Sequence, residues 1–209
     1  MNITINGYDN MGRAIATRAA AAGHTVQVVG RDPEKARALA TELGGAVTAG
    51  SLDDVPTGDV YVLALYYGPV MEVLDSYADQ LRGKVVVDIT NPVDVESFDR
   101  MVPPGGSSGA QEIQQRLPDA SVVKAFNTTL AGPLTTGEVE GRPLDVLVAA
   151  DDEAAKAKVT ALGRSMGLRP LDAGPLRRSR ELEALGFLQM TMQGVLGNTW
   201  STTFKILGA

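Results

Sequence analysis

The sequence predicts an α/β protein whose core is a Rossmann-type, doubly wound parallel sheet with a small, mainly helical C-terminal part. Three observations predict this fold. Short apolar runs alternate with helical stretches of similar length over the first two thirds of the 209 residues. The run 60–65 is apolar throughout, as expected of a parallel strand that is covered on both faces. A glycine-bounded turn joins the first strand directly to the first helix.

The first 127 residues are predicted to form the dinucleotide-binding domain. Its strands are the short apolar or β-branched runs at residues 2–6, 26–29, 46–49, 60–65, 84–89 and 121–126. Its helices are predicted at residues 13–22, 33–43 and 69–81. Asp32 suits the N-cap of the second helix, and Pro33 suits its first turn. The Gly- and Pro-rich segment 102–109 is predicted to be a mobile loop over one edge of the sheet.

Residues 128–209 are predicted to form a C-terminal part that contains long helices. The βα pattern continues there for one more round, with elements at residues 145–150, 152–165 and 168–171. A long helical stretch is predicted from Pro175 almost to the end. Its apolar residues exceed what one helix facing a sheet needs, which predicts a homodimer interface. These residues are Leu185, Leu188, Met192, Leu196 and Phe204.

Composition narrows the classes of function. The net charge of −6 argues against nucleic acid and anionic membranes as partners. The chain has no cysteine and only one histidine, His24, which excludes disulfides, thiolate nucleophiles and multi-histidine metal sites. No metal site is therefore expected. Because we find neither a leader nor an apolar run long enough to span a membrane, we expect a cytoplasmic protein.

The turn after the first strand is the first candidate for cofactor binding. It consists of Gly7, Tyr8, Asp9, Asn10, Met11 and Gly12. Gly7 suits a tight turn, Gly12 lets the helix pack closely on the strand, and the helix N-terminus offers amide groups to a diphosphate. Asp9 stands where the dinucleotide fingerprint has its second glycine, and its carboxylate would repel the diphosphate. The alternative is a strand–helix turn that Asp9 caps.

The end of the second strand predicts NADP(H) as the cofactor. Enzymes that use NAD place an acidic residue there to hold the ribose hydroxyls. This sequence instead has Gly30, which we expect to leave room for a phosphate, followed by Arg31. Arg31 and Lys35, one helical turn later, supply positive charge for that phosphate. The alternative is that both are solvated surface charges.

Three further strand ends are candidates for contact with the nicotinamide, because ligands of doubly wound sheets bind beyond the carboxyl ends of the strands. The residues are Leu65, Tyr66, Asn91, Pro92, Ala125 and Asn127. The asparagine side chains can donate to and accept from an amide or a flavin edge. Core packing of the aromatic rings and a turn at Asn91 and Pro92 are the alternatives.

Several segments of the chain resemble the NADPH-dependent reductases of the deazaflavin coenzyme F-420 (F420), whose fold is shared by the cytoplasmic domain of the STEAP metalloreductases. The segments are 10–12, 30–31 with Lys35, 90–92, 123–128, 167–176 and 179–181. The resemblance implies an NADP-dependent oxidoreductase with NADPH across the strand ends and a deazaflavin or flavin stacked on the nicotinamide. The stacked rings would lie in an acceptor cleft that residues 128–209 complete with their helices. Hydride then passes directly between the rings, so orientation suffices and no catalytic side chain is expected.

Two other functions stay open at this point. One is an NADPH-dependent reductase that acts directly on a small organic carbonyl or imine, with Tyr66 or Tyr67 supplying the proton. The other is a non-catalytic NADPH-binding redox sensor. An arginine cluster, Arg177, Arg178 and Arg180, is a candidate site for the anionic tail of F420. The alternative is a solvated surface patch or salt bridges to Glu181 and Glu183.

Overall fold

The computed structural model describes residues 1–208, whose central feature is an eight-stranded sheet with helices on both faces. Within these residues, the strands are β1 Asn2–Asn6, β2 Thr25–Gly30, β3 Val47–Ser51, β4 Val60–Leu63, β5 Val85–Asp88, β6 Ser121–Lys124, β7 Glu138–Val139, β8 Arg142–Pro143, β9 Asp145–Ala150 and β10 Arg169–Gly174. The helices are α1 Asn10–Ala21, α2 Pro33–Leu43, α3 Tyr67–Tyr77, α4 Gly109–Arg116, α5 Ala131–Thr136, α6 Glu153–Ser165 and α7 Ser179–Met192, with a 3-10 turn at Leu176–Arg178.

The strand order confirms the doubly wound fold. Across the sheet the order is β10-β9-β6-β5-β4-β1-β2-β3, and β1 to β6 pair in parallel. The order reverses between β1 and β4, which is where such sheets open a crevice for a ligand. The last two strands extend the same sheet, because β9 pairs with β6 in antiparallel and β10 pairs with β9 in parallel. The division at residue 127 stays a prediction.

The core lies in two apolar layers, one on each face of the sheet. In β5, Val85 and Val87 belong to the layer under α1, α2 and α6, whereas Val86 belongs to the layer under α3 and α4. Successive side chains of a strand point to opposite faces, and both faces are covered here. The central strands therefore read as nearly continuous apolar runs. No helix within residues 1–208 combines the length and apolar character needed to cross a lipid bilayer.

The C-terminal helix is shorter than the sequence suggested. The helix α7 ends at Met192, and residues 193–208 contain no further helix. Gly197 and Asn198 have φ values of 81° and 54°, which a right-handed helix cannot include. The prediction of a helix from Pro175 almost to the end is therefore wrong beyond Met192.

The helix α4 follows the Gly- and Pro-rich loop and was not predicted. It begins after Ser108, whose hydroxyl oxygen accepts the N–H of Gln111 at 3.2 Å and whose hydroxyl donates to the Gln111 side chain at 3.1 Å. A Ser-x-x-Gln spacing is a known signal for a helix N-terminus. The signal was thus present in the sequence, inside a segment that otherwise looks irregular.

Candidate functional site

The glycine turn brings the start of α1 to the crevice between β1 and β4. Gly7 has a φ of 123°, and a Cβ on it would overlap the carbonyl oxygen of Ala64 at the end of β4. A Cβ on Gly12 would overlap the carbonyl oxygen of Gly7. Both glycines are therefore needed for a close approach of strand, turn and helix, as the dinucleotide fingerprint requires.

The N-terminus of α1 has no side-chain cap. Asp9 occupies the N-cap position with extended backbone, but its exposed carboxylate accepts no hydrogen bond from the first turn, which Asn10 and Met11 open. By contrast, Asp32 of α2 and Asp152 of α6 each accept two amide N–H groups. The structure thus excludes the alternative in which Asp9 caps the helix. The first-turn amides and the positive dipole end stay available to an anion.

The ring of Tyr8 lies against Gly30 at the end of β2. A Cβ on Gly30 would overlap the Tyr8 ring, and the Tyr8 hydroxyl oxygen accepts the Asp32 N–H at 3.2 Å. Our expectation that Gly30 leaves room for a phosphate is therefore wrong, because that room is filled by the protein's own ring. Lys35 places its ammonium 6.0 Å from the ring centroid, and both Arg31 and Lys35 are exposed. Their charges remain available beside Tyr8.

The predicted nicotinamide contacts lie together at the ends of β4, β5 and β6, but they differ in exposure. Tyr66 is 75% exposed, Leu65 and Asn91 are partly buried, and Pro92 and Ala125 are buried. Tyr67, next to Tyr66, is partly buried and donates its hydroxyl to Glu112. Tyr66 rather than Tyr67 thus presents an exposed ring at this edge.

The side chains of Asn91 and Asn127 contact each other directly. Asn127 Nδ2 donates to Asn91 Oδ1 at 2.9 Å and to the Leu182 carbonyl of α7 at 2.8 Å. Asn91 Nδ2 donates to the Asn127 carbonyl at 2.8 Å. Asn127 Oδ1 is buried without a partner among the described residues. A buried acceptor of this kind is costly unless a ligand or water completes it, so Asn127 fits a bound amide.

A buried ion cluster of Asp88, Lys124 and Glu183 lies next to these asparagines, and the sequence analysis missed it. Lys124 Nζ donates to Asp88 at 2.8 Å, to Glu183 at 2.8 Å and to the Thr90 carbonyl at 2.5 Å. All three side chains of the cluster are almost fully inaccessible. The available signal was a charged residue at the end of two valine-rich strands, where burial demands a charged partner.

Burial and pairing act in opposite directions on the pKa values of this cluster. Burial disfavours charged Lys124, but the carboxylates of Asp88 and Glu183 outweigh it and raise the pKa of Lys124. Burial raises the pKa of Glu183, although Lys124 and the amide of Gly109 favour its ionised form. The single ammonium group of Lys124 is thus shared by the carboxylates of Asp88 and Glu183.

The arginine cluster after Pro175 is partly engaged in ion pairs. Arg180 contacts Glu181 at 2.5 Å, and Arg178 lies 3.7 Å from the same carboxylate. Arg177 is exposed, while Arg180 also lines a small pocket with loop residues 103–107. Salt bridges to Glu181 are therefore observed for Arg178 and Arg180, whereas the carboxylate of Glu183 pairs with Lys124 instead.

The chain is similar to several known proteins. The family described as NADP oxidoreductase, coenzyme F420-dependent, matches residues 2–92. The chain is 31% identical over 195 residues to the F420-dependent NADP reductase of Methanothermobacter thermautotrophicus, covering 87% of this chain and 84% of that one. It is 33% identical over 183 residues to metalloreductase STEAP3 of Rattus norvegicus, covering 88% of this chain but only 36% of that protein.

The similarity extends to solved structures. A crystal structure from Arthrobacter sp. FB24, provisionally named an F420-dependent NADP reductase, superposes with a TM-score of 0.86 and 30% identity. The match covers 98% of both chains. The chain thus matches one relative almost end to end, while it spans about a third of the length of STEAP3.

Proposed function

The chain belongs to the family of coenzyme F420-dependent NADP oxidoreductases, and from this premise we propose that it transfers a hydride between NADP(H) and a deazaflavin or flavin acceptor. The observation that carries the proposal is the uncapped N-terminus of α1, which the glycine turn places at the crevice between β1 and β4. Free first-turn amides at this position suit the diphosphate of a dinucleotide. Bound NADPH would supply the hydride itself.

The end of β2 supports NADP(H) rather than NAD(H). Arg31 and Lys35 are exposed, Lys35 lies near the Tyr8 ring, and both cations can pair with a 2′-phosphate. Because the Tyr8 hydroxyl oxygen already accepts the Asp32 N–H, its own hydrogen is free to be donated to the same phosphate. We therefore assign Tyr8 a direct contact with the cofactor.

The strand ends of β4, β5 and β6 orient the reacting rings. The unpartnered Oδ1 of Asn127 suits the N–H groups of the nicotinamide carboxamide, and the exposed ring of Tyr66 offers a face for stacking the acceptor. Leu65, Pro92 and Ala125 complete the apolar floor and limit access of water. The protein thus contributes binding, orientation and exclusion of water, with no side chain as acid or base.

The exposed hydroxyl of Tyr66 also favours a second candidate function. In an NADPH-dependent reductase of a small carbonyl or imine, a side chain beside the nicotinamide must donate a proton. Tyr66 is placed for that task, whereas the Tyr67 hydroxyl is already donated to Glu112.

NADPH consumption with defined acceptors tests the proposal. The protein is mixed with NADPH and either oxidised F420, free flavin or a panel of small carbonyls and imines, with NADH as the matched control. We expect NADPH to be consumed with F420 or flavin. The Tyr66→Phe variant should keep this activity, because phenylalanine retains the ring face for stacking. Consumption only with a carbonyl or imine, lost in Tyr66→Phe, would establish the second function. No consumption with any acceptor would contradict both.

A further inference from the structure

Helix α7 is held over the strand ends through one face. The Leu182 carbonyl accepts Asn127 Nδ2 at 2.8 Å. One turn later, Gly186 lies so close to the asparagines that a Cβ on it would be 2.5 Å from Asn91 Oδ1 and 2.8 Å from the Asn127 carbonyl. Residues four apart share a helix face, so the position of α7 determines the space around both amides.

Glu183, on the same face, ties α7 to both β6 and α4. Its Oε1 accepts Lys124 Nζ at 2.8 Å and the Ala110 N–H at 3.2 Å, and its Oε2 accepts the Gly109 N–H at 3.0 Å. The two amides belong to the first turn of α4, where the helix dipole favours a negative charge. The carboxylate is 1% exposed, so these three donors replace water entirely.

The contacts form a closed circuit between α7 and the strand ends. Lys124 is fixed by Asp88 at 2.8 Å and by the Thr90 carbonyl at 2.5 Å, and Asp88 accepts the Thr90 N–H at 2.8 Å. Thr90 is followed by Asn91, which contacts Asn127 under α7. A displacement of the Glu183 carboxylate therefore shifts α7 relative to the asparagines.

We infer that Glu183 is a positioning residue that sets the height of α7 over Asn91 and Asn127 and, through them, the orientation of the nicotinamide. The inference rests on the proposed hydride transfer. Stability alone does not account for the arrangement, because buried ion pairs give little net stability compared with apolar packing. Orientation does account for it, since a small misplacement of reacting atoms lowers the rate steeply while binding is kept.

Two variants shift α7 by independent routes. Glu183→Gln keeps the shape of the side chain but replaces one carboxylate oxygen with an NH2 group. Both oxygens now accept hydrogen bonds, so this NH2 group would face another donor. Gly186→Ala leaves every charge in place and adds a methyl group against Asn91. Alanine is the better helix former, so an effect through helix stability alone would favour the second variant.

Thr4→Val is the matched control. The Thr4 hydroxyl is also buried, donates to Gln27 at 2.9 Å and accepts the Gly58 N–H at 2.9 Å. Thr4 lies in the middle of β1, where it pairs with Gln27 of β2 and Tyr61 of β4, and neither hydrogen-bond partner of its hydroxyl belongs to α7 or to the asparagine pair. The control therefore disrupts a buried polar cluster without moving α7.

The measurements are kcat with F420 at saturating NADPH, the Kd for NADPH, and the emission spectrum of bound NADPH. We expect kcat to fall about tenfold or more in both α7 variants, with Kd changed by about twofold at most, and no change in either for Thr4→Val. We also expect both α7 variants to shift the nicotinamide emission.

Unchanged kcat and emission in both α7 variants would overturn the inference. It would also be overturned if Thr4→Val, at the same loss of Tm, lowered kcat as much as the α7 variants do. If the wild-type protein binds NADPH but reduces no F420, the proposed acceptor fails. The emission spectrum then decides the positioning role by itself, with a shift supporting it and identical spectra overturning it.

Discussion

Replacing Lys124 with methionine is the sharpest test of the buried ion cluster. Methionine keeps most of the apolar stem of lysine, so packing changes little. Among the residues that the structure describes, the lost ammonium is the one cation that donates a hydrogen bond to both Asp88 and Glu183. Breaking a buried pair in this way costs about 3–5 kcal/mol of unfolding free energy. For a chain of about 200 residues, we expect Tm to fall by about 6–20 °C.

The loss of stability should depend on pH with a defined sign. Burial raises the pKa of Glu183 and Lys124 lowers it, so Lys124→Met raises that pKa further. A carboxyl group with a higher pKa in the folded state binds its proton more tightly there than in the unfolded chain. The stabilisation by the protonated carboxyl group is fully present below the unfolded pKa of about 4.5 and is lost as pH rises through the folded pKa. The difference from wild type should therefore shrink as pH falls.

Urea unfolding at several pH values measures this difference, with Lys156→Met as the matched control. Lys156 is also a buried lysine, but its partners Glu153 and Asp172 are 78% and 61% exposed. Because water solvates those carboxylates after the change, we expect the control to lose at most about 1 kcal/mol. A loss for Lys124→Met that equals the control, or that does not vary with pH, would refute the reasoning.

Four further predictions follow from the site and the fold. Arg31→Ala should narrow the preference for NADPH over NADH by about one to two decades in Kd, since a charged contact to phosphate contributes roughly 1.5–3 kcal/mol; equal wild-type affinities would contradict this. Asp9→Gly should lower the Kd for NADPH, because it removes a carboxylate that does not cap α1 and would repel the diphosphate; weaker binding in titrations would show that Asp9 contributes to cofactor binding. Burial alone would raise the pKa of Asp145, but its hydrogen bonds, chiefly the one from Arg169, lower this pKa to about 2. The stabilisation by ionised Asp145 should thus be present above about pH 4 and vanish towards pH 2. The unfolding free energies of Asp145→Asn and wild type should therefore converge in acid, and a difference that persists near pH 2 would contradict this. Exposed Leu188 on α7 predicts a homodimer; sedimentation at micromolar concentration that finds only a 21.9 kDa monomer would exclude it.

The sequence predicted the parts of the fold that rest on local signals. The strands β1 to β6 and the glycine turn are short-range patterns of apolar residues and glycines, and the structure has them in the predicted order. The ion cluster could not be assembled in the same way, because Lys124 and Glu183 are far apart in sequence. Only the folded sheet brings α7 back over β6.

The errors at the C-terminus and around Gly30 also have physical reasons. Residues 193–208 contain apolar side chains such as Leu196 and Phe204, which suggested that the helix continues, but glycine and positive φ values end it. Because Gly30 has no side chain, the sequence of the strand alone suggests an empty space beside it. The structure shows that Tyr8, from the neighbouring turn, uses that space. Side-chain packing between two loops is not visible in either local pattern.

Direct hydride transfer is the central claim, and following the label of C4-deuterated NADPH tests it most directly. The protein is given NADPH that carries deuterium at the transferred position, together with oxidised F420 in ordinary water, and the reduced product is analysed by mass spectrometry. The proposal predicts that the deuterium appears on carbon in the reduced deazaflavin, because the two rings are stacked and shielded from water. A product without deuterium, or NADPH that stays unoxidised, would contradict it.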